Sequence, residues 1–327
     1  MTTLPRRPVL KALLALAGAA ALRPGEAQPR WPTRSLRIIV VYPPGGLSDG
    51  VARSLAERLA LQLGVPVRVE NRAGGGGSVG LQALARAKPD GYTLAFSAVS
   101  PLTLRPHLGA VGDDPFRDIE PVASVMYTPV LLVGTPAFTG HHFADLLSQA
   151  RERPHALRWA TSGLATAGHL VLEQVQVGSG IAVTHIPYKG GGQQLTDALG
   201  GQFELLSTNV APAQLHHIEA GRFKPLAVGA PQRLDVLPQV PTFAELGLPH
   251  ANVSSLFGLF APGGTPPALL DRLNTEINQA VQTPGIRERL VASDNLPTTG
   301  DRPAFVRRIA EEWRSNRRLK GADVRRE

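Results

Sequence analysis

The sequence predicts an α/β protein built of two lobes, and three observations carry that reading. Strand-like and helix-like segments alternate along most of the chain, the pattern of sheets flanked by helices. A strand running through glycines directly into a helix occurs at Arg37 to Gly50 and again from His185 to Gly192. The chain has 327 residues, 43% of them apolar, which is enough for two separate cores.

The first element is a strand from Arg37 to Tyr42, rich in β-branched residues. Pro43-Pro44-Gly45-Gly46 breaks it, and a helix from Ser48 to Leu63 places Val51, Leu55, Leu59 and Leu63 on one stripe, with Arg53 and Glu57 one turn apart. Strands at Val67 to Glu70 and Tyr92 to Ser97 flank a helix from Ser78 to Ala87, which completes a βαβαβ unit. Pro129 to Val133 reads as a proline-flanked crossover strand. Helices follow at Phe143 to Glu152, Ala167 to Val177, Gln193 to Leu199 and Pro212 to Ala220. They alternate with strands at Leu157 to Ala160, Val183 to Ile186, Phe203 to Ser207 and Pro225 to Gly229. Leu256 to Ala261 returns to the first lobe, Thr265-Pro266 opens a helix as N-cap and first residue, and a terminal helix covers Arg302 to Lys320. The expected division is residues 28–130 with 230–327 as lobe 1, and 131–229 as lobe 2.

Residues 1–27 read as an export signal. Arg6-Arg7-Pro8-Val9-Leu10-Lys11 precedes an apolar run from Ala12 to Leu22 and the small-x-small site Gly25-Glu26-Ala27, and the paired arginines resemble a twin-arginine signal. The run is too short to span a membrane with ordinary flanks, and no later segment is apolar enough. The expected location is therefore periplasmic. Removing the signal takes away Arg6, Arg7, Lys11 and Arg23 against Glu26, so the net charge falls from +8 to +5. Much of the remaining excess sits at Arg307-Arg308 and Arg317-Arg318-Leu319-Lys320, with too few aromatics for base stacking, which argues against a nucleic-acid partner. A mild positive field suits an acidic solute. The absence of cysteine excludes disulfides, thiolate metal sites and a lipidated cysteine.

Each strand–glycine–helix turn offers unpaired backbone N–H groups at a strand's carboxyl end, where small anions bind. Two such cradles suggest one cleft with two walls. Competing patterns lack their context. Gly75-x-Gly77-x-x-Gly80 satisfies a dinucleotide fingerprint, but the next strand ends in Ser97-Ala98-Val99-Ser100 and supplies no acid for a ribose. Gly76-x-Ser78-x-Gly80 satisfies a nucleophile-elbow pattern, yet Asn71 to Gly77 separate Ser78 from its strand. The glycines there read as a turn that lets the helix pack closely. His141-His142 and His216-His217 lack metal-ligand spacing and read as exposed helix-end histidines. No catalytic set, cofactor or metal site is expected.

A family resemblance runs through essentially the whole chain after the signal. It rests on Tyr42-Pro43-Pro44-Gly45-Gly46 with Asp49, Glu70-Asn71-Arg72-Ala73-Gly74, Lys88-Pro89-Asp90-Gly91-Tyr92-Thr93-Leu94, Ala160 to His169, His185-Ile186-Pro187-Tyr188-Lys189-Gly190, and Pro238 to Thr242 with Glu245 and Gly247. In their order and spacing these resemble the Bug or TctC-type solute-binding receptors of tripartite tricarboxylate transporters. The resemblance implies a type II-like periplasmic binding fold, a carboxylate held by backbone amides and water, hinge closure, transient contact with membrane permease subunits, and a monomer. It also implies ligand-binding positions: Pro44, Gly45, Gly46 and Asp49; Ser97 and Ser100; Ser162, Thr166 and His169; Tyr188, Lys189, Gly190 and Gly191; and Asn209.

Several of these have a second reading. Asp49 is either a pocket group or a first-turn acid favoured by the helix dipole. Ser48 reads as an N-cap rather than a ligand contact. His169 would more often be a structural histidine, Tyr188 could line the cleft or pack a lobe, and Lys189 could act at long range. Leu164 stands where relatives often carry a polar residue, and Asn209 where aspartate is common, so ligand class is open. The rival readings are a secreted serine hydrolase using Ser78 with His169, and an orphan receptor that feeds a membrane sensor.

Overall fold

The computed structural model describes residues 31–108 and 115–316. Every element below lies within the compact unit Arg34–Glu327. The export signal and the basic run Arg317 to Lys320 lie outside the described residues.

Strands β1 (Leu36–Val40), β2 (Val67–Asn71) and β3 (Thr93–Ala98) pair in parallel, in the order β2-β1-β3. They are linked by α1 (Leu47–Leu63) and α2 (Ser78–Ala85), the βαβαβ unit expected from the alternation. Gly80 lets α2 approach closely, since an added Cβ would lie 2.7 Å from a Val41 methyl. Arg53 pairs with Asp49 one turn back, not with Glu57 as its spacing suggested.

Strand β4 (Ile119–Gly134) is 16 residues long, far more than the Pro129 to Val133 expected. Pro121 and Pro129 cannot donate to a strand ladder, and the fold places each where pairing already changes. The register to β9 (Ser254–Pro262) shifts beside Pro121. After Pro129, β4 leaves β9 and pairs instead with β7 (Leu205–Asn209) and β8 (Lys224–Gly229). One strand thus runs through both halves of the sheet, whose order is β2-β1-β3-β9-β4-β7-β5-β6.

The second half holds β5 (Arg158–Thr161), β6 (Thr184–Pro187) and β7, with β5 parallel to both neighbours. Helices α3 (Phe143–Glu152), α4 (Ala167–Ser179), α5 (Gly191–Leu199) and α6 (Pro212–Glu219) connect them. The sheet is parallel around β1 and β5 and antiparallel along the long crossover strands. Along β4, Val130 and Leu132 face one core while Leu131 and Val133 face the other, the period-two pattern of a strand covered on both faces. Residues 230–253, expected with lobe 1, pack Leu234, Leu237, Val240, Phe243 and Leu248 into these second-half cores.

The chain returns through β9 to α7 (Pro267–Val281), α8 (Pro284–Val291), β10 (Leu296–Pro297, paired with β4) and α9 (Arg302–Asn316). Pro266 rather than Thr265 takes the N-cap position of α7; the Thr265 hydroxyl instead donates to the Pro262 carbonyl. Helix α8 was not anticipated. Phe305 and Ile309 of α9 close the first-half core against Phe260 and Ile39.

Candidate functional site

The carboxyl ends of β1, β3, β5, β6 and β7 open onto one cavity of about 330 Å³, lined by residues from both halves of the sheet. This is where ligands bind in open α/β sheets. Four helices of eight or more residues start at its wall: α1 with Gly46 to Ser48, α4 with Thr166 to Gly168, α5 with Gly191 and Gly192, and α6 with Ala211 to Gln214. A helix start carries unpaired N–H groups and roughly half a positive charge. Only α4 has a side-chain cap, the Thr166 hydroxyl accepting from the His169 amide at 3.4 Å. The N-caps of α1, α5 and α6 are Gly46, Gly190 and Ala211, none of which supplies a capping bond.

The polar residues that line it include Ser48, Ser100, Ser162, Ser207, Thr208 and Ser255, together with Asn209, Gln214 and Asn295. Arg289 lines it as well, and no Asp or Glu does. The Tyr42 phenol at the wall stays neutral, its pKa pushed up to about 12 by burial. The cavity is therefore neutral to positive and rich in donors, a setting for an oxyanion.

Of the positions implied by the resemblance, Gly45, Gly46, Ser100, Ser162, Thr166, Gly191 and Asn209 line this cavity. The others do not line it. Asp49 is buried and turned into its own loop: its carboxylate accepts from the Gly45 amide (3.0 Å), Asn71 Nδ2 (2.9 Å) and Arg53 Nε (3.1 Å). Burial alone would raise its pKa, but those bonds hold it below the usual carboxylate range. Ser97 is fully buried and donates to the Ala98 carbonyl.

His169 is buried beneath the Ser162 to Thr166 loop. Its ring stacks on His185 at 4.5 Å, its Nδ1 accepts the Ala165 amide, and its Nε2 lies 3.4 Å from Glu173. Ala165 has a left-handed φ of 58°, so this bond secures a strained backbone. The Tyr188 hydroxyl donates to Asp197 at 2.7 Å and its ring meets Phe203 edge-on, so it packs the second half. Lys189 and Pro44 are exposed and lie off the cavity wall. Ser48 lies inside α1 and lines the cavity, whereas its sequence position suggested a cap.

Gly190 touches the opposite half. A Cβ there would lie 2.1 Å from Pro43 Cδ, so the two glycine cradles abut. A second contact joins the halves at Gly76, where a Cβ would lie 2.2 Å from the Leu164 carbonyl oxygen. The glycine run that mimicked a dinucleotide fingerprint is thus a surface on which the second half rests. Ser78 accepts from Arg105 Nη1 at 3.0 Å, and its hydrogen bonds among the described residues include no histidine, so the Ser78–His169 hydrolase arrangement is not assembled.

Sequence reasoning missed Ser207, Thr208, Gln214, Ser255, Phe257, Arg289, Ser293 and Asn295. They come from the crossover strands, from α6 and from the unanticipated α8 with the turn after it. No local motif marks them; only the pairing of β4 with β7 and β9 brings them to one wall.

The tripartite tricarboxylate transporter family receptor pattern matches residues 51–322. Protein BugT of Bordetella pertussis is 36% identical over 324 residues, covering 96% of this chain and 98% of the relative. Among solved structures, the periplasmic binding protein BugD superposes with a TM-score of 0.84 at 28% identity, covering 90% of this chain and 99% of that one. A Rhodopseudomonas palustris protein solved with adipate gives 0.82 at 32% identity, covering 89% and 98%. MatC of the same organism, with bound malate, gives 0.84 at 26%, covering 89% and 100%. The chain belongs to the tripartite tricarboxylate transporter receptor family, whose fold and role are those of solute-binding receptors.

Proposed function

We propose that this member of the tripartite tricarboxylate transporter receptor family is an exported receptor that captures a small carboxylate between its two lobes and hands it to a membrane permease. One observation carries the reading: four helix starts, three of them without side-chain caps, converge on a cavity whose lining residues include one arginine, Arg289, and no Asp or Glu. Uncapped amides need an acceptor, and an oxyanion is the acceptor that also suits the helix dipoles. The adipate and malate in the two R. palustris relatives support the same ligand chemistry. The touching cradles support hinge closure over the ligand, with the crossovers at Pro129 and before Ser254 as hinge. Lobe 1 would be built on β1, β2, β3 and β9, and lobe 2 on β5 to β8.

Residues 1–27 would direct export, leaving a periplasmic receptor; no helix among the described residues is long and apolar enough to cross a membrane. The working form is a monomer that meets the permease transiently. The test is thermal-shift screening of the mature protein against mono-, di- and tricarboxylates. A ligand at a thousandfold its Kd stabilises by about 4 kcal/mol, a shift of several degrees in Tm. A panel in which no acid moves the melt overturns the reading. Labelling of Ser78 by an active-site serine reagent would instead favour the hydrolase.

A further inference from the structure

Two stacked imidazoles stand behind one loop of the cavity. His169, in the first turn of α4, and His185, on β6, lie with ring centroids 4.5 Å apart and planes 12° from parallel. His169 is buried, and its Nδ1 accepts the Ala165 amide at 3.3 Å. That bond assigns the tautomer: the ring proton sits on Nε2, which faces Glu173 at 3.4 Å. His185 Nε2 meets the Thr161 hydroxyl at 2.7 Å, and Thr161 Oγ1 accepts the Gly163 amide at 3.2 Å. Both rings therefore end on the turn from Thr161 to Thr166.

This turn touches both the cavity and the opposite half. It supplies Ser162 and Thr166 to the cavity lining, and its Leu164 carbonyl rests on Gly76. Ala165 holds a left-handed φ of 58°, which an L-residue keeps only where its surroundings impose it. A proton on Nδ1 would set N–H against N–H and remove that hold. Charge on both rings would add repulsion between them.

The neighbouring charges bear on that proton. Glu173, on α4, favours it for either ring. Burial, then His169, lowers His185 to about 4, so the pair resists holding two charges. Elsewhere around the pair, Arg158 of β5 is engaged by Glu204 at 2.6 Å, Ser207 of β7 is neutral, and His250, on the turn whose Ala251 packs against α4, is exposed. The cavity itself has no Asp, Glu or His in its lining. Acid sensitivity of the loop would thus come from behind it.

Resting on the carboxylate reading above, we infer that His169, backed by His185, makes the turn from Thr161 to Thr166 a proton-sensitive latch, so that the receptor holds its solute at neutral pH and releases it in acid. His169 acts as a positioning residue, bonded to the turn and not to the solute. Solute and proton then weaken each other's binding by the same factor.

The experiment is isothermal titration of the mature full chain from about pH 5 to about pH 7.5, the range in which an imidazole changes charge. The probes are malate, adipate and whichever acid of the thermal-shift panel moves the melt most, in buffers of different ionisation enthalpy that count protons released on binding. The acids' own titration is common to every variant, so proteins are compared with one another. His169→Asn keeps an acceptor for the Ala165 amide in its Oδ1 and takes no proton. Between the two ends of the range the natural chain should lose about tenfold or more affinity beyond the loss seen in His169→Asn, the size of one buried hydrogen bond. It should also release more protons on binding in acid than that variant does. His169→Leu, without the acceptor, should bind weakly at every pH. In the ligand-free natural chain, imidazole 15N shifts should show His169 Nδ1 gaining its proton as affinity falls. A fall that survives His169→Asn, or an Nδ1 that stays unprotonated throughout, overturns the latch and leaves carboxylate binding standing. Failure of every acid to bind at neutral pH overturns both.

Discussion

The contact between Gly76 and the Leu164 carbonyl tests whether the two halves must close for binding. Gly76 has φ +63° and ψ +23°, and a Cβ added there would lie 2.2 Å from the Leu164 oxygen. Ordinary contact begins at 3.4 Å, so Gly76→Ala requires the Leu164 loop to retreat by 3.4 − 2.2 = 1.2 Å. Gly64 at the end of α1 is a matched control, with φ +67°, ψ +19° and no atom within 4 Å of its Cβ position. Alanine in that left-handed conformation costs about 1 kcal/mol at either site. If the halves separate, the ligand-free protein escapes the Gly76 clash, and both variants lose only that amount in urea unfolding. Binding restores the clash. Overpacking of this kind costs about 1–3 kcal/mol, so Gly76→Ala should weaken carboxylate affinity by about fivefold or more while Gly64→Ala leaves it unchanged. Titration of the two variants side by side, with small-angle scattering of the ligand-free forms, measures this. Equal affinities for the two variants would refute the reasoning, because the loops would then not need to meet.

Three further outcomes follow from individual contacts. Glu312 is pushed up to about 7 by burial, against the pull of the Thr103 hydroxyl at 2.5 Å, so the folded protein keeps a proton that the unfolded chain loses above its ordinary 4.5. This favours the fold below pH 4.5 and fades by about pH 7, by at most about 3 kcal/mol. His185 acts oppositely: burial, then the neighbouring His169, lower it from 6.5 to about 4, so its contribution is full above 6.5 and lost by about pH 4. Its part-exposed ring screens that effect to about 1–2 kcal/mol. Glu312→Gln should therefore give a urea midpoint that rises more steeply between pH 4.5 and 7 than that of the natural chain; parallel profiles would contradict the assignment. Ser207→Ala leaves the Trp159 indole N–H (2.9 Å) without its acceptor and the Gly168 carbonyl (2.9 Å) without its donor, both buried, and should cost about 1–3 kcal/mol in urea unfolding. Asp49→Asn should cost a similar amount: the half-exposed Arg53 pair contributes only about 0.3–0.5 kcal/mol, so the loss rests on the Gly45 amide and Asn71 bonds, and Arg53→Gln should be far milder.

The parts of this fold legible in the sequence are those whose determinants are local. Leu55 and Leu59 stripe one face of α1, and Phe143 to Glu152 is a helix end to end as its pattern suggests. Strand β4 was half hidden because Pro121 and Pro129 look like stops, and only its partners reveal that they sit at points where pairing changes. The site divides the same way. Gly45, Gly46 and Gly191 are legible because a helix start after glycine announces itself within a few residues. Gln214, Arg289 and Asn295 are not, because their shared wall is created by two helices, α6 and α8, some 75 residues apart in sequence. Asp49, Tyr188 and His169 were legible as functional, yet their polar atoms are engaged by Gly45, Asp197 and Ala165.

That last group shows how such a site is held. A cradle of uncapped amides is costly to keep open, since the same backbone groups would be satisfied by a Ser or Asp at the cap. Here the capping side chain is displaced by one layer. Asp49 accepts the Gly45 amide from behind and leaves the amides at the start of α1 toward the cavity, and His169 holds Ala165 in its left-handed turn beside Thr166. The rear contacts fix the loops, and the front is left without a built-in acceptor. A side chain that completed the front would stabilise the ligand-free protein and compete with the solute. Replacing Gly46 with Ser should therefore raise ligand-free stability by a few tenths of a kcal/mol, the difference between Gly and Ser at an N-cap, while weakening carboxylate affinity. Urea unfolding and titration of that one variant measure both effects, and a gain in affinity would show that the open amides are not what the solute meets.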